Sequence, residues 1–417
     1  LSFGHVPRVG DSFCGGGSIP FEAARIGCEA YASDLNPVAG LLTWASLNLL
    51  GGGEKIHRDV SRAQHEVFAA TDRQIYDWGI EHNARGERAE AFLYCVEVKP
   101  EGCDYYIPLP PSWVISEKFR IVALWKQVPG SDRLKPEVTE VSETEFKLFK
   151  AKKGATVANS RVLDPFNPDR SWSVEGLRGP SGLRRWTNDD VLPHPDDVFQ
   201  ERLYCIRWSK KVVRNGRPKL ERRYAAPEKS DIAREEQALS LLRERFSDWQ
   251  RKGFIPSKQI ASGYNTDQPV RERGWTHWHH LFTPRQLLVH GAVAEQFASM
   301  DNGSVETRVA SFLTVAMLAN WDSKLCIWNT NLAKSGGIGA FEQTFANQAL
   351  NTLFNFGSRG LQGLDGFKLS RLQGSEAGGD AQVLDARDNS KDVDMWITDP
   401  PYADAVNYHE LGDFFLA

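Results

Sequence analysis

A chain of 417 residues, 41% hydrophobic and 25% charged, can bury a substantial core in two or three domains, which excludes fibrous and disordered classes. A net charge of −4 excludes a uniformly basic nucleic-acid binder, so any contact with DNA must come from a local patch. Six cysteines are too few for a disulfide framework, and no apolar stretch approaches the roughly 18 residues of a membrane span; a cytoplasmic enzyme with no membrane partner is expected.

The first pattern in the chain is a short apolar strand at Val9-Gly10-Asp11 leading into Ser12-Phe13-Cys14-Gly15-Gly16-Gly17 and then a helical pattern. Glycines permit positive φ and close backbone approach to a ligand, and the helix N-terminus behind them offers unpaired N–H groups. A second strand, Ala30-Tyr31-Ala32-Ser33-Asp34, ends in a carboxylate placed to bind a ribose diol. Pro37 to Leu50 reads as a helix stopped by Gly51-Gly52-Gly53. From Arg85 to Arg223 short β-like runs alternate with prolines, among them Phe92–Val98, Tyr105–Leu109 and Ile121–Trp125. Helices are predicted from Ser230 to a stop at Gly253, over Pro284–Met300 with Thr283 as N-cap, over Glu306–Trp321 and over Phe341–Phe356.

Three side-chain clusters lie between these elements. Cys95, Cys103 and Cys205 lack the two close pairs of a zinc ribbon and read as buried small hydrophobes. A run carrying Arg207, Lys210, Lys211, Arg214 and Arg217, folded at Asn215-Gly216 into a hairpin, is a candidate grip on DNA phosphates. His277, His279 and His280 alternate with aromatics and, without a carboxylate pattern, read as packing rather than as metal ligands. After them Thr283 and Pro284 open a helix whose N-terminus is positioned to meet the carboxylate of a bound cofactor.

The chain ends on its most specific motif, Asp399-Pro400-Pro401-Tyr402, reached through Val393–Thr398. The lone pair of an adenine or cytosine amine is delocalised into the ring, so methylation requires a group that accepts the amine hydrogens. Asp399 and the Pro400 carbonyl can do this together, since a proline-fixed turn holds its oxygens in one direction. Tyr402 offers a face on which a flipped base stacks. Joined to the glycine loop, this motif selects S-adenosylmethionine over the dinucleotides as cofactor. The organisation expected is one α/β domain interrupted by a long insertion: residues 1–84 and 341–417 as its two halves, 85–227 as a β-rich module, and 228–340 as a helical connection. Leu1 begins shortly before the glycine turn and Ala417 closes in mid-pattern, so the chain reads as a fragment of a longer protein.

Taken together, Asp11–Pro20, Cys28–Pro37, Gly274–Leu288 and Thr398–Phe415 resemble bacterial adenine-specific DNA methylases of the large multidomain type with a zinc-ribbon-like insertion, often found beside anti-phage defence genes. The resemblance implies a Rossmann-like S-adenosylmethionine methyltransferase sheet, methyl transfer to adenine N6 in double-stranded DNA, and partner subunits of a restriction or defence system. It implies catalytic roles for Asp399, Pro400 and Tyr402, with Pro401 completing the motif, and a cofactor site drawing on Asp11, Phe13, Gly15, Gly17, Asp34 and Asn36. It also implies an acid on the preceding strand against the cofactor's adenine: Asp380, with Asp385 as rival. The thinned cysteines depart from the family and weaken the case for zinc. The same motif chemistry serves cytosine N4, an RNA base or a protein amide, and a defence subunit that binds DNA without turnover is the alternative of a different class.

Overall fold

The computed structural model describes residues 3–151, 154–214, 216–300, 303–331, 341–345, 349–364, 378–401 and 407–417. In chain order its main elements are strands β1 (Arg8–Asp11) and β2 (Glu29–Asp34), alternating with helices α1 (Ser18–Arg25) and α2 (Pro37–Ala45), and then the long helix α3 (Gly53–Trp78). There follow β3 (Arg88–Val98), β4 (Phe199–Arg214), β5 (Arg217–Ala225), α4 (Lys229–Lys252), α5 (Pro284–Ser299), α6 (Val305–Trp321) and β6 (Asn355–Arg359). The chain closes with β7 (Gly379–Val383), β8 (Met395–Trp396) and α7 (Tyr408–Leu416). Two units are formed: Leu1–Thr71, Val293–Met317 and Phe367–Ala417 make the smaller, and Asp72–Ala292 with Leu318–Gly366 the larger.

The smaller unit carries a parallel sheet in the order β7-β2-β1-β8, so its strands, counted along the chain, stand third, second, first, fourth. Ala30, Tyr31 and Ala32 of β2 are buried, as parallel strands require when both faces are covered. Gly10 is needed for β8 to approach: a Cβ there would stand 2.7 Å from the Trp396 ring. Asn36 caps α2 by accepting the Val38 N–H at 3.0 Å, with Pro37 at the first helical position. Beyond α2 a π-helical turn, Ser46–Leu50, stops at Gly51 as expected. The chain resumes at once as α3, which the sequence reading missed although Ile56, Val60, Ala63 and Val67 recur at helical spacing. Val60 packs with Ala45, Leu49 and Ala310 of α6.

The larger unit is built on an antiparallel sheet, β5-β4-β3-β6, with Ile107–Pro108 also pairing to β3. Every residue of β3 is buried. Phe92, Tyr94, Val96 and Val98 enter one core with Trp208 and Phe356, while Ala91, Leu93 and Cys95 enter another with Trp113 and Phe341. Two small three-stranded sheets flank it, confirming the β-rich character expected of this region. α4 ends at Gly253 in the left-handed conformation, φ 74°, as the sequence indicated.

Two expectations are corrected. None of the described residues between 341 and 354 is helical: Phe341 bridges to Trp328, and Asn355 begins β6, whose residues 355–359 pair with Cys95 through Ala91. The sheet captures this stretch because Phe341 and Phe356 fill the two cores on either side of β3, and that burial outweighs a modest helical periodicity. Residues 318–366 consequently join the larger unit, the last segment of the smaller unit, expected from 341, runs from 367, and 293–317 returns to the smaller unit.

Candidate functional site

The carboxyl ends of the four parallel strands gather the chemistry-bearing residues of the smaller unit. Asp11 ends β1, Asp34 ends β2, Asp385 follows β7, and Asp399 lies just past β8. β1 and β8 pair in parallel at Val9 with Met395 and Gly10 with Trp396, and the Ile397 N–H continues the ladder to the Gly10 carbonyl at 2.9 Å. Open parallel sheets bind ligands in this crevice, where the strand order reverses on either side of the first strand.

Asp11 is the hinge of the arrangement. It is 2% exposed, and its Oδ1 accepts the Phe13 N–H at 3.0 Å and the Thr398 hydroxyl at 2.9 Å. Burial raises its pKa; the Phe13 and Thr398 hydrogen bonds pull it back, and the charges of Asp34 and Asp399 push it up again. Asp11 therefore senses both neighbouring carboxylates across the strand ends. Thr398, to which the sequence reading gave no role, ties the Asp-Pro-Pro turn to the glycine loop through a bond spanning 387 residues of chain.

The glycine loop is tight at one glycine and open at another. Gly15 and Gly17 adopt φ of 50° and 84°, and a Cβ on Gly17 would stand 3.0 Å from the Thr43 Cα. A Cβ on Gly16 would meet nothing within 4 Å, so the loop backbone there borders open space. Thr43 donates to the Gly15 carbonyl at 3.1 Å and steadies the turn. The two Asp34 oxygens accept the Gly15 and Asn36 N–H groups at 3.0 and 2.8 Å, leaving each with a further lone pair for a diol. Phe13 is 38% exposed beside the loop. The Cys14 thiol is pushed up to about 11 by burial, which favours its neutral form.

Asp380 and Asp385 separate clearly. Asp380 stands opposite Tyr31 on the edge strand, three residues before the strand end, and accepts from Gln382 at 2.9 Å and from Lys391 at 3.3 Å. Asp385 lies beyond the strand end, where Leu384 N–H bonds the Asp34 carbonyl at 3.0 Å, and Arg387 holds its carboxyl down at about 2. The register favours Asp385 over Asp380 at the crevice. Asp399, Pro400 and Pro401 are exposed, whereas Tyr402 lies outside the described residues.

Other candidates belong to the larger unit. Thr283 and Pro284 are buried, and Thr283 exchanges hydrogen bonds with Gln286 at 2.8 and 3.2 Å. This reciprocal cap satisfies the first-turn donors internally, so the expected contact with a cofactor carboxylate is corrected. Arg207 is also corrected as a DNA contact: it is 6% exposed, 3.0 Å from Glu90, and its guanidinium covers the Trp328 ring. Lys210, Lys211, Arg214 and Arg217 remain exposed on the hairpin. Cys95 and Cys103 face opposite cores of the sheet, and burial pushes the Cys95 thiol up to about 12, so these cysteines do not fit a shared zinc ion. Among the described residues no cluster of three or more His, Cys, Asp or Glu is placed to hold a metal. His279 and His280 are fully buried; His280 accepts the Thr276 N–H at 3.0 Å and bonds the Thr187 carbonyl at 2.9 Å, which makes it a packing and capping residue. No helix among the described residues is long and apolar enough to cross a membrane.

Comparison with protein-family models, curated proteins and solved structures found no match to this chain.

Proposed function

We propose that the smaller unit is the cofactor-binding and catalytic part of an S-adenosylmethionine-dependent methyltransferase with a Rossmann-like sheet, acting on adenine N6 of DNA. The observation that carries this reading is the pairing of β1 with β8, locked by Thr398 and Asp11, which sets the Asp-Pro-Pro turn beside the glycine loop. The strand order third, second, first, fourth agrees with the doubly wound pattern, and its switch point coincides with that pair. The choice of adenine, and of a restriction or defence setting, rests on the resemblance of the motifs.

The residues present fit the cofactor. The open side of Gly16 leaves room for a ligand against the backbone, Asp34 has lone pairs for a ribose diol, and Asp385, just past the end of β7, is assigned to the adenine edge. When bound, S-adenosylmethionine supplies an electrophilic methyl group on a sulfonium. Asp399 and the Pro400 carbonyl accept hydrogen bonds from the target amine, which localises its lone pair, and the turn fixes their direction. As the N–C bond forms and the C–S bond breaks, the amine proton is released toward Asp399 and solvent. No covalent enzyme intermediate is required, and positioning with exclusion of water supplies most of the rate. Tyr402 is assigned by its place in the motif to stack the flipped base.

Asp399→Ala is expected to abolish transfer of labelled methyl groups to DNA while cofactor binding, measured by calorimetry, persists. Methylation near the wild-type rate by that variant would sink the assignment. Mass spectrometry of nucleosides from treated DNA decides the atom: N4-methylcytosine in place of N6-methyladenine would reassign the substrate, and cofactor binding with no transfer to any DNA would favour a non-catalytic subunit.

A further inference from the structure

β4 and β5 do not end where their sheet ends. The last pairing of β4 with β3 is Ser209 with Arg88, yet β4 and β5 remain paired with each other for five more steps, from Lys210 with Glu221 to Arg214 with Arg217. At about 3.4 Å per residue this two-stranded ribbon extends some 17 Å beyond the sheet. Its residues are exposed or nearly so, Val213 at 75% and Leu220 at 37% included, whereas β4 is buried from Leu203 to Ser209.

The charges divide by place. Arg222 and Arg223, at the root, are held by Glu90 and Glu87 at 2.7 and 2.6 Å, and Arg207 lies inside the sheet on Glu90. On the projecting part, Lys210 bonds the Arg85 carbonyl at 3.0 Å and Arg214 pairs with Glu221. Lys211, Arg217 and Lys219 have no ion-pair partner among the described residues. Cross-strand pairing puts Lys210, Arg214, Arg217 and Lys219 on one face, with Val212 and Glu221, and Lys211 beside Val213, Pro218 and Leu220 on the other. A basic, narrow projection on a chain of net charge −4 is a local device for a polyanion.

We propose that this ribbon inserts into the major groove of duplex DNA, with its basic face on phosphates and its apolar face toward base edges. The groove, about 12 Å wide and 8.5 Å deep, admits a two-stranded ribbon, and the projection exceeds its depth. The choice of DNA rests on the methyltransferase reading; the shape and charge of the ribbon do not.

The test uses the full chain and a 20-base-pair duplex made only of G·C pairs, which cannot accept an N6 methyl group, so binding is read separately from transfer. Anisotropy titrations across a salt series compare wild type with Lys211→Glu/Arg217→Glu/Lys219→Glu, with thermal unfolding to check the fold. The wild-type slope of log affinity against log salt should lose about 2 in the variant, near 0.9 for each of the two phosphate contacts removed with Arg217 and Lys219, and affinity should fall at least tenfold. Filling the major groove with glucosylated hydroxymethylcytosine should weaken wild type and leave the variant little changed. An unchanged slope in a folded variant, or equal loss on open and filled grooves, overturns the proposal. A salt slope that falls as stated in a protein that methylates no DNA keeps the ribbon's role and removes the catalytic reading.

Discussion

Thr398→Val is the sharpest probe of the site, because it removes a hydroxyl and keeps the shape. The lost hydrogen bond, 2.9 Å long, ends on a carboxylate that is 2% exposed. Bonds to charged groups are worth about 1.5–3 kcal/mol. If that energy holds the Asp-Pro-Pro turn against the glycine loop, the variant loses about 10- to 150-fold in kcat at roughly 1.4 kcal/mol per decade. Its KM for the cofactor should move less, since Phe13 N–H still anchors Asp11 at 3.0 Å. Stability against pH gives an independent readout. Burial raises the pKa of Asp11, so the native state holds this proton more tightly than the unfolded chain, and the stabilisation is present in full below the ordinary carboxyl pKa, near 3.9. It is lost as pH rises through the folded value. Removing Thr398 removes one of the two hydrogen bonds that hold that value down, so the decline should extend to higher pH in the valine variant. Urea unfolding across pH 3–8, with initial-rate kinetics, measures both effects, and Thr398→Ser should restore them. If valine and serine variants match wild type in kcat and in the pH course of stability, the latch has no part in positioning.

Four further outcomes follow from the geometry and electrostatics. Gly16→Ala should unfold as wild type does, because its Cβ meets no protein atom within 4 Å, but should weaken cofactor binding measured by calorimetry; unaltered affinity would place the ligand elsewhere. Gly17→Ala, at φ 84° and against Thr43, should instead destabilise the fold by about 1–2 kcal/mol, seen as a lower urea midpoint. Asp385→Ala should reduce cofactor affinity more than Asp380→Ala, and the reverse order would return the adenine contact to the middle of β7. Burial, aided by the neighbouring His277, lowers the pKa of His279 to about 4, so its contribution is present above pH 6.5 and lost as pH falls toward 4, about 3 kcal/mol in all. His279→Gln should flatten the acid limb of thermal unfolding, and an unaltered limb would remove His279 from that balance.

The parallel sheet was legible because its signals are local: an apolar strand, a glycine turn and a carboxylate at the strand end each appear within a dozen residues. What escaped was decided by distant partners. The charge run at the hairpin looked uniform in sequence, yet Glu90 of β3 and Glu87 just before it stand opposite its root, so Arg207, Arg222 and Arg223 are ion-paired and only the tip stays open. Phe341–Phe356 showed a helical spacing, but its terminal aromatics, Phe341 and Phe356, are claimed by opposite cores of one sheet, a fact invisible without the register of β3. α3 was visible in its spacing and was missed because three glycines in a row read as a full stop.

Asp380 and Asp385 illustrate the same divide at the scale of the site. Both are acids near the end of a short strand, and spacing along the chain treats them alike. Register separates them: Asp380 faces Tyr31, three residues before β2 ends at Asp34, while Asp385 comes after the last ladder partner, Val383 with Asp34. A ligand lying across the carboxyl ends from Gly16 meets the second acid because it comes past the strand end; Asp380 is exposed as well, but three residues back along the edge strand. The same logic puts Asp399, three residues past Trp396, at the mouth of the crevice and gives the proline pair a structural purpose. A turn without a free backbone N–H at either proline cannot extend the ladder, so the chain must leave the sheet there and present its carboxylate and carbonyl outward.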